Sequence, residues 1–417
     1  MNLLINIIPL AVIIVLLFKK QHMLFAGLVG GIIAVLIGGL DLAKASEMFV
    51  GGINNMMSIT VPIIYAASAA MVSKAGSIES LVELAGRKLK GRISILVGFI
   101  VLIQGLATYM AGMGAGNSMI TAPLAAAAVG AIPEVIAAMA IVSGVGFTTS
   151  PASTETVLAA ESAGIDVMSQ AAAMRPYTVI FYLLAVGLAV YGVYKRGSIT
   201  KGSIDKEDKF KGLSNSTLFK HSLPAIALLL MVIGGSKVNS LIGINLFSPA
   251  TTVIFTSILT VLLTPLNINQ TCESLIDGSR FILTTLFSVG IFLSFINMIG
   301  GLGTFEQLAS LVSNVPESII VPVAMITAFL IAIPSGAFAA GVLTLVLPTL
   351  SQLGLPPESM GFVAIATGLG TQVSPVQINI AALSKGFETD IIDIVKGNLK
   401  YVLGALILLI IIAVVVI

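Results

Sequence analysis

Charge is what this sequence has least of. Only 10% of its 417 residues are Asp, Glu, Lys or Arg, while 57% are hydrophobic and the mean hydropathy is +1.08. A soluble domain carries about a quarter charged residues, so a soluble globular protein is excluded. The 21 basic residues barely exceed the 19 acidic ones, which leaves no basic surplus for nucleic acid. A single cysteine, Cys272, excludes an intrachain disulfide and a cysteine-clustered metal site. The two histidines, His22 and His221, lie among lysines, which argues against a histidine metal site or a Ser-His-Asp triad. Tryptophan is absent, whereas Gly (41) and Pro (16) are plentiful, as in membrane helices that pack closely and break in places. The composition predicts an all-α polytopic membrane protein that is not an enzyme.

A hydrocarbon core of about 30 Å takes roughly 20 helical residues. Apolar stretches of nearly that length occur at 3–18, 23–40, 56–73, 176–194, 217–235, 247–265, 281–299 and 400–417. The first is followed, not preceded, by Lys19-Lys20, so it reads as a span and not as a secretory signal. Two longer tracts, 93–163 and 317–385, are rich in Gly, Pro and Ser and do not divide into ordinary spans. If loops 19–22, 74–92, 195–220, 266–280 and 385–400 share one side, that side holds 18 of the 21 basic residues. It is therefore the cytoplasmic side, and each long tract must make one net crossing. The arrangement that satisfies both demands is a re-entrant hairpin followed by a discontinuous helix in each tract. Hairpin 93–130 turns between Gly112 and Asn117, and helix 134–163 breaks at Phe147–Pro151. Hairpin 317–354 turns near Pro334-Ser335-Gly336, and helix 358–385 breaks at Thr371–Pro375. The expectation is about ten crossings plus two hairpins, both termini outside, in a bacterial plasma membrane.

The two tracts resemble one another at a constant offset of 224 residues. Pro133-Glu134 meets Pro357-Glu358, Gly144 and Gly146 meet Gly368 and Gly370, and Ser150-Pro151 meets Ser374-Pro375. Asp166 meets Asp390 and Tyr177 meets Tyr401; upstream the register drifts, and Gly76–Glu79 resembles Gly303–Glu306. These identities fall on Gly, Pro, Ser and acids, where composition alone does not produce them. Because the first half starts outside and the second inside, they are inverted repeats: 1–195 and 217–417, joined by a cytoplasmic linker, 196–216. The segments Ser77–Leu89 and Thr304–Ser313 read as amphipathic interfacial arms or as ordinary loop helices.

A helix broken inside a bilayer is tolerated only where it lines a cavity or is buried in protein. Ser150 with Pro151 reads as an N-cap, Ser374 with Gln377 as a capping box, and Asn117-Ser118 as a cap for the hairpin's returning arm. Four helix ends would then meet near the midplane, their N–H groups suited to carboxylates and their freed carbonyls to a small cation such as sodium. Close packing of small residues competes with that reading at each glycine cluster. Glu155 stands five residues beyond Ser150, where an ionised side chain costs about 3 kcal/mol on insertion scales. It is a candidate for ion coupling or a structural carboxyl, and its counterpart is the amide Asn379. Glu134 and Glu358 start helices at the interface, where an acid suits the helix dipole.

The run Ser150-Pro151-Ala152-Ser153-Thr154-Glu155-Thr156-Val157-Leu158-Ala159-Ala160 resembles a segment of anaerobic four-carbon-dicarboxylate carriers, and so does the Ser374-Pro375-Val376 break. Hairpin, discontinuous helix and inverted repeat together resemble the wider ion transporter superfamily. The resemblance implies hairpin-tip residues at Gly114, Gly116, Asn117, Ser118, Ser335, Gly336 and Ala339. It implies broken-helix residues at Thr149, Ser150, Ser153, Thr371, Ser374 and Gln377, joined by Asn379 as the partner of Glu155. A sodium ion near Asn117 and Thr149, a homodimeric scaffold and an elevator mechanism belong to the same expectation. The sequence differs from the sodium-coupled dicarboxylate branch, whose tips carry Ser-Asn-Thr. Its first tip reads Gly116-Asn117-Ser118 and its second has no Asn. The function expected is cation-coupled secondary transport of a small organic anion, a carboxylate or dicarboxylate, driven by protons or sodium. Two alternatives stand beside it: a cation/proton antiporter, and the membrane subunit of a sodium-pumping decarboxylase complex. The latter should carry an Asp in the first broken helix, and 134–160 has none.

Overall fold

The structure, a computed structural model, describes residues 3–19, 21–57, 60–89, 92–112, 114–151, 153–197, 212–244, 246–304, 307, 315–336, 339–351 and 355–417. Among them all regular structure is helical, in 19 helices. The first half comprises α1 (Leu3–Asn6), α2 (Ile8–Phe18), α3 (Met23–Gly38), α4 (Leu42–Met57), α5 (Thr60–Lys74) and α6 (Ser77–Leu89). It continues with α7 (Ile93–Ala111), α8 (Ala115–Val129), α9 (Pro133–Thr149), α10 (Thr154–Ala163) and α11 (Val167–Arg196). The second half comprises α12 (Asn215–Ile242), α13 (Pro249–Leu263), α14 (Ile268–Gly300), α15 (Glu317–Ser335), α16 (Ala339–Ser351), α17 (Pro357–Thr371), α18 (Ile378–Phe387) and α19 (Ile391–Val416). Most of the expected linker and of the second amphipathic arm lies outside the described residues.

The breaks fall where Gly, Pro and Ser interrupt the apolar runs. Gly112 ends α7 in the left-handed conformation, φ 69°, which an L side chain resists. Gly164 does the same for α10, φ 68°. The caps differ from the sequence expectation. Ser150 closes α9 with extended backbone, and the hydroxyl that caps α10 belongs to Ser153, which accepts from the Thr156 N–H at 3.2 Å. A helix cannot restart at Pro151 because Ser150 and Ser153 form the turn between the two pieces. The capping box of the second break is not formed either. Ser374 accepts from the Val376 N–H within a tight turn, and α18 begins only after Gln377, whose side chain makes no cap bond. Asn117 and Ser118 lie inside the first turn of α8 instead of capping it; Gly114 occupies the cap.

Among the described residues two helices are long and apolar enough to cross a membrane by length and composition, α11 (30 residues) and α19 (26 residues). The pair α9–α10, bent by 48° at its break, meets the same test when taken together. Shorter apolar helices include Ile93–Tyr109, Ala115–Val129, Pro249–Leu263 and Ile319–Ser335. This is a helical architecture compatible with a membrane protein.

Helices α9 and α17 form the centre. Every residue of α9 from Glu134 to Thr149 and of α17 from Ser359 to Thr371 is buried. They pack on each other, α9 also against α7 and α11, and α17 against α15. Helix α8 packs on α18, and α10 on α16. Helix α14 packs along α4 and α5. At the centre Gly144 and Gly368 lie face to face: a methyl added to Gly144 would stand 2.9 Å from the Gly368 carbonyl oxygen. Only glycine lets two backbones approach so closely.

Candidate functional site

A buried polar chain runs beside this crossing. Gln104, the one amide in the apolar helix α7, points into the angle between α7, α8 and α9. Its Nε2 donates to the Ser118 and Ser143 hydroxyls, both at 2.7 Å, and its Oε1 accepts from Thr121 at 2.5 Å. Ser118 donates to Asn379 Oδ1 at 2.5 Å, and Asn379 Nδ2 to Gln372 Oε1 at 2.7 Å. Gln372 Nε2 donates to the Thr371 hydroxyl at 2.8 Å, which donates to the Gly368 carbonyl at 2.6 Å. Asn398 of α19 donates to the Gln372 carbonyl at 3.3 Å. Taking these groups out of water costs a few kcal/mol each unless they are paired. Here they pair with one another.

Several residues expected from the sequence meet in this cluster. Ser118, Asn379 and Thr371 are in the chain. Gly114 packs against it, since a methyl there would lie 3.2 Å from Ser143 Cβ and 3.3 Å from Asn379 Oδ1. Asn117 is buried one residue before Ser118, and its carbonyl accepts from Thr121 at 3.0 Å. Gly116 is buried in the same turn of α8.

The other expected residues divide differently. Thr149 bonds to the Val145 carbonyl at 2.8 Å and accepts from Thr178 of α11 at 2.9 Å, so its hydroxyl is taken up by the α9–α11 contact. Ser150 bonds to the Tyr109 carbonyl of α7, which ties the turn between α9 and α10 to α7. Ser153 contacts Thr156 and the Ser150 carbonyl as a cap. In the second half Ser335 turns back to the Ile331 carbonyl at 2.6 Å, and Gly336 packs against Ser374 and Val376. Ala339 and Gln377 are buried, the latter as the residue before α18. Ser150 thus joins the turn after α9 to α7, and Gly336 the end of α15 to the turn after α17, while the amide chain joins α7 and α8 to α17 and α18.

Glu155 is the second residue of α10 and half-buried. Its carboxyl lies over its own backbone N–H, and no side chain of a described residue hydrogen-bonds it. An acid in a first helical turn suits the dipole. No Lys or Arg occurs in 93–163 or 317–384; Lys385, at the end of the second tract, is the one basic residue of the two. Among the described residues no three His, Cys, Asp or Glu converge as metal ligands.

Sequence reasoning missed Gln104, Thr121, Ser143, Gln372 and Asn398. Gln104 was visible in principle, as a lone amide in Ile93–Ala111, because an intramembrane polar group needs a partner. The rest are Ser, Thr, Asn and Gln of ordinary appearance that only the packing brings together. The structure also gives Glu134 more than a dipole role. Its carboxylate is buried and takes a bidentate pair from Arg196, Nε at 2.7 Å and Nη2 at 2.8 Å, and the Tyr401 hydroxyl at 2.7 Å. Asp166 and Asp390 cap α11 and α19, which accounts for their matched positions. No family model and no curated protein matches the chain.

Proposed function

We propose that the chain is a secondary active transporter of a small organic anion, a carboxylate or dicarboxylate, cation-coupled and working by elevator-type alternating access. The observation that carries this reading is the amide and hydroxyl chain buried beside the crossing of α9 with α17, at the starts of α8 and α18. An interrupted helix is at home where it lines a binding site.

The inverted repeat supports it. Gly144 and Gly368, equivalent at the 224-residue offset, pack against each other, as residues on a pseudo-two-fold axis would. Gly146 packs on Thr108 of α7, and Gly370 on Ala332 of α15, and those partners are themselves 224 apart. The crossed pairs α8–α18 and α10–α16 follow the same relation. On this reading α7–α8 and α15–α16 are re-entrant hairpins, α9–α10 and α17–α18 discontinuous helices, and the remaining long helices a scaffold in a bacterial plasma membrane. The chain crosses about ten times with both termini outside, and the scaffold dimerises.

The anion is held by the Asn379 amide and by hydroxyls, not by a fixed cation. Glu155, without a side-chain partner, carries the coupling proton; sodium at the breaks is the other coupling ion the site allows. The lack of Lys and Arg throughout 93–163 and 317–384 also suits a cation/proton antiporter, the second reading. The test is thermal-shift screening of the purified protein against two- to six-carbon mono- and dicarboxylates, with and without sodium. Ligand binding to the folded state raises Tm by mass action, by about 2.7 kcal/mol of stabilisation at a hundredfold excess over Kd. A shift with carboxylates supports the carrier; a shift with Na⁺ or Li⁺ alone favours the antiporter. For a positive ligand, Glu155→Gln should retain binding but lose concentrative uptake into proteoliposomes. Uptake against a gradient with an unchanged pH profile would make Glu155 a packing residue.

A further inference from the structure

The buried chain has one direction, and acceptor-only groups dictate it. The Gly368 carbonyl can only accept, so the Thr371 proton goes to it, and Thr371 in turn must accept from Gln372 Nε2. That turns Gln372 Oε1 toward Asn379, whose Nδ2 therefore donates, and leaves Asn379 Oδ1 to accept from Ser118. Ser118 has then spent its proton and needs a donor, which is Gln104 Nε2. At the other end the Gly114 carbonyl, 3.4 Å from the same nitrogen, requires the amide orientation that presents N–H there.

We propose that Gln104 is a positioning residue: by heading this chain it holds Asn379 with its amide N–H toward Gln372 and the second break. Only one Nδ2 bond of Asn379 goes to a described residue, which leaves its second N–H for an acceptor atom of the ligand. This last step rests on the carrier reading. The equivalent positions of the other half carry no such chain. Gln104 is matched by Ala328, Ser118 by Val342 and Asn379 by Glu155. The two crossed contacts therefore differ in residue type: α8 brings Ser118 to Asn379 of α18 in a directed hydrogen bond, whereas the matched positions on α16 and α10 are Val342 and Glu155. One side thus holds a preset donor, fixed from the Gly368 carbonyl at one end of the chain and from Gln104 at the other.

The experiment needs no ligand, so its failure is separate from failure of the carrier reading. Side-chain amide signals of ¹⁵N-labelled protein in detergent are recorded, with that of Asn379 identified by its loss in Asn379→Leu. Gln104→Met, and Gln104→Glu as the isosteric variant without N–H donors, should each shift the Asn379 signal. Ser118→Ala should shift it too, and adding Gln104→Met to Ser118→Ala should move it no further. Ser143→Ala removes the other bond from the same Gln104 nitrogen and should leave the Asn379 signal in place, although it lowers Tm as Ser118→Ala does. A merely structural Gln104 would move Tm alone. An Asn379 signal unmoved by Gln104→Glu or Gln104→Met, or moved as far by Ser143→Ala as by Ser118→Ala, overturns the proposal.

Discussion

Individual side chains here are selected for what they accept and donate. Asp166, in the exposed turn before α11, accepts from the Ser169 hydroxyl and from the backbone N–H groups of Ser169 and Met168. The Ser169 hydroxyl above all, then the backbone donors, hold its carboxyl below the ordinary aspartate range. A carboxylate whose folded pKa is depressed contributes stability above its unfolded pKa and loses it as pH falls through the folded one. Acidification below the ordinary aspartate range should therefore lower Tm. In Asp166→Asn, where the amide still caps the helix, that acid-dependent fraction should be missing. An identical Tm-versus-pH curve for the variant would remove Asp166 from the acid response. Ser153 and Ser150 teach the same economy: both are Ser before a helix restart, but only the one whose hydroxyl reaches the Thr156 N–H serves as the cap.

At the level of elements, the central helices are joined at two kinds of contact. One is the glycine crossing of α9 with α17. A methyl at Gly368 would lie 2.7 Å from Thr148 Cγ2 and against the Gly144 backbone, so Gly368→Ala overpacks a buried crossing. The expected cost is about 1–3 kcal/mol, read as a drop in unfolding stability. Gly187 of α11 has nothing within 4 Å of an added methyl, so Gly187→Ala is the control and should be neutral or slightly stabilising. Equal losses at the two sites would mean that α9 and α17 do not approach as described. The other contact is the clamp of Glu134, Arg196 and Tyr401, which fastens α9 to α11 and to α19 of the second half. Gly192 makes room for it, a methyl there standing 3.0 Å from Glu134 Cγ. The glycine crossing thus holds α9 to α17, and the carboxylate at its start holds it to α11 and α19.

For the whole molecule the proposed arrangement makes one demand that labelling can check. With the exposed native Cys272 replaced by Ser, single cysteines at Ser203 and at the exposed Glu161 should react with an impermeant maleimide from opposite sides, Ser203 from the cytoplasm. Reaction from the same side would break the inverted topology, because the basic-residue count and the repeat both require opposite sides. Much of the architecture was legible in the sequence. Low charge, long apolar runs and clustered Gly, Pro and Ser determined that the chain is helical and where its helices stop, because helix breaking and burial are local properties of residue type. The helices 93–111, 115–129, 133–149 and 154–163 stop within a few residues of the expected breaks. The chemistry of the site was decided only by tertiary structure. Whether a Ser is a cap, a tie to a carbonyl or a link in a chain depends on which atoms lie about 3 Å away, and for Gln104, Ser118, Asn379 and Gln372 those atoms come from segments up to 261 residues distant.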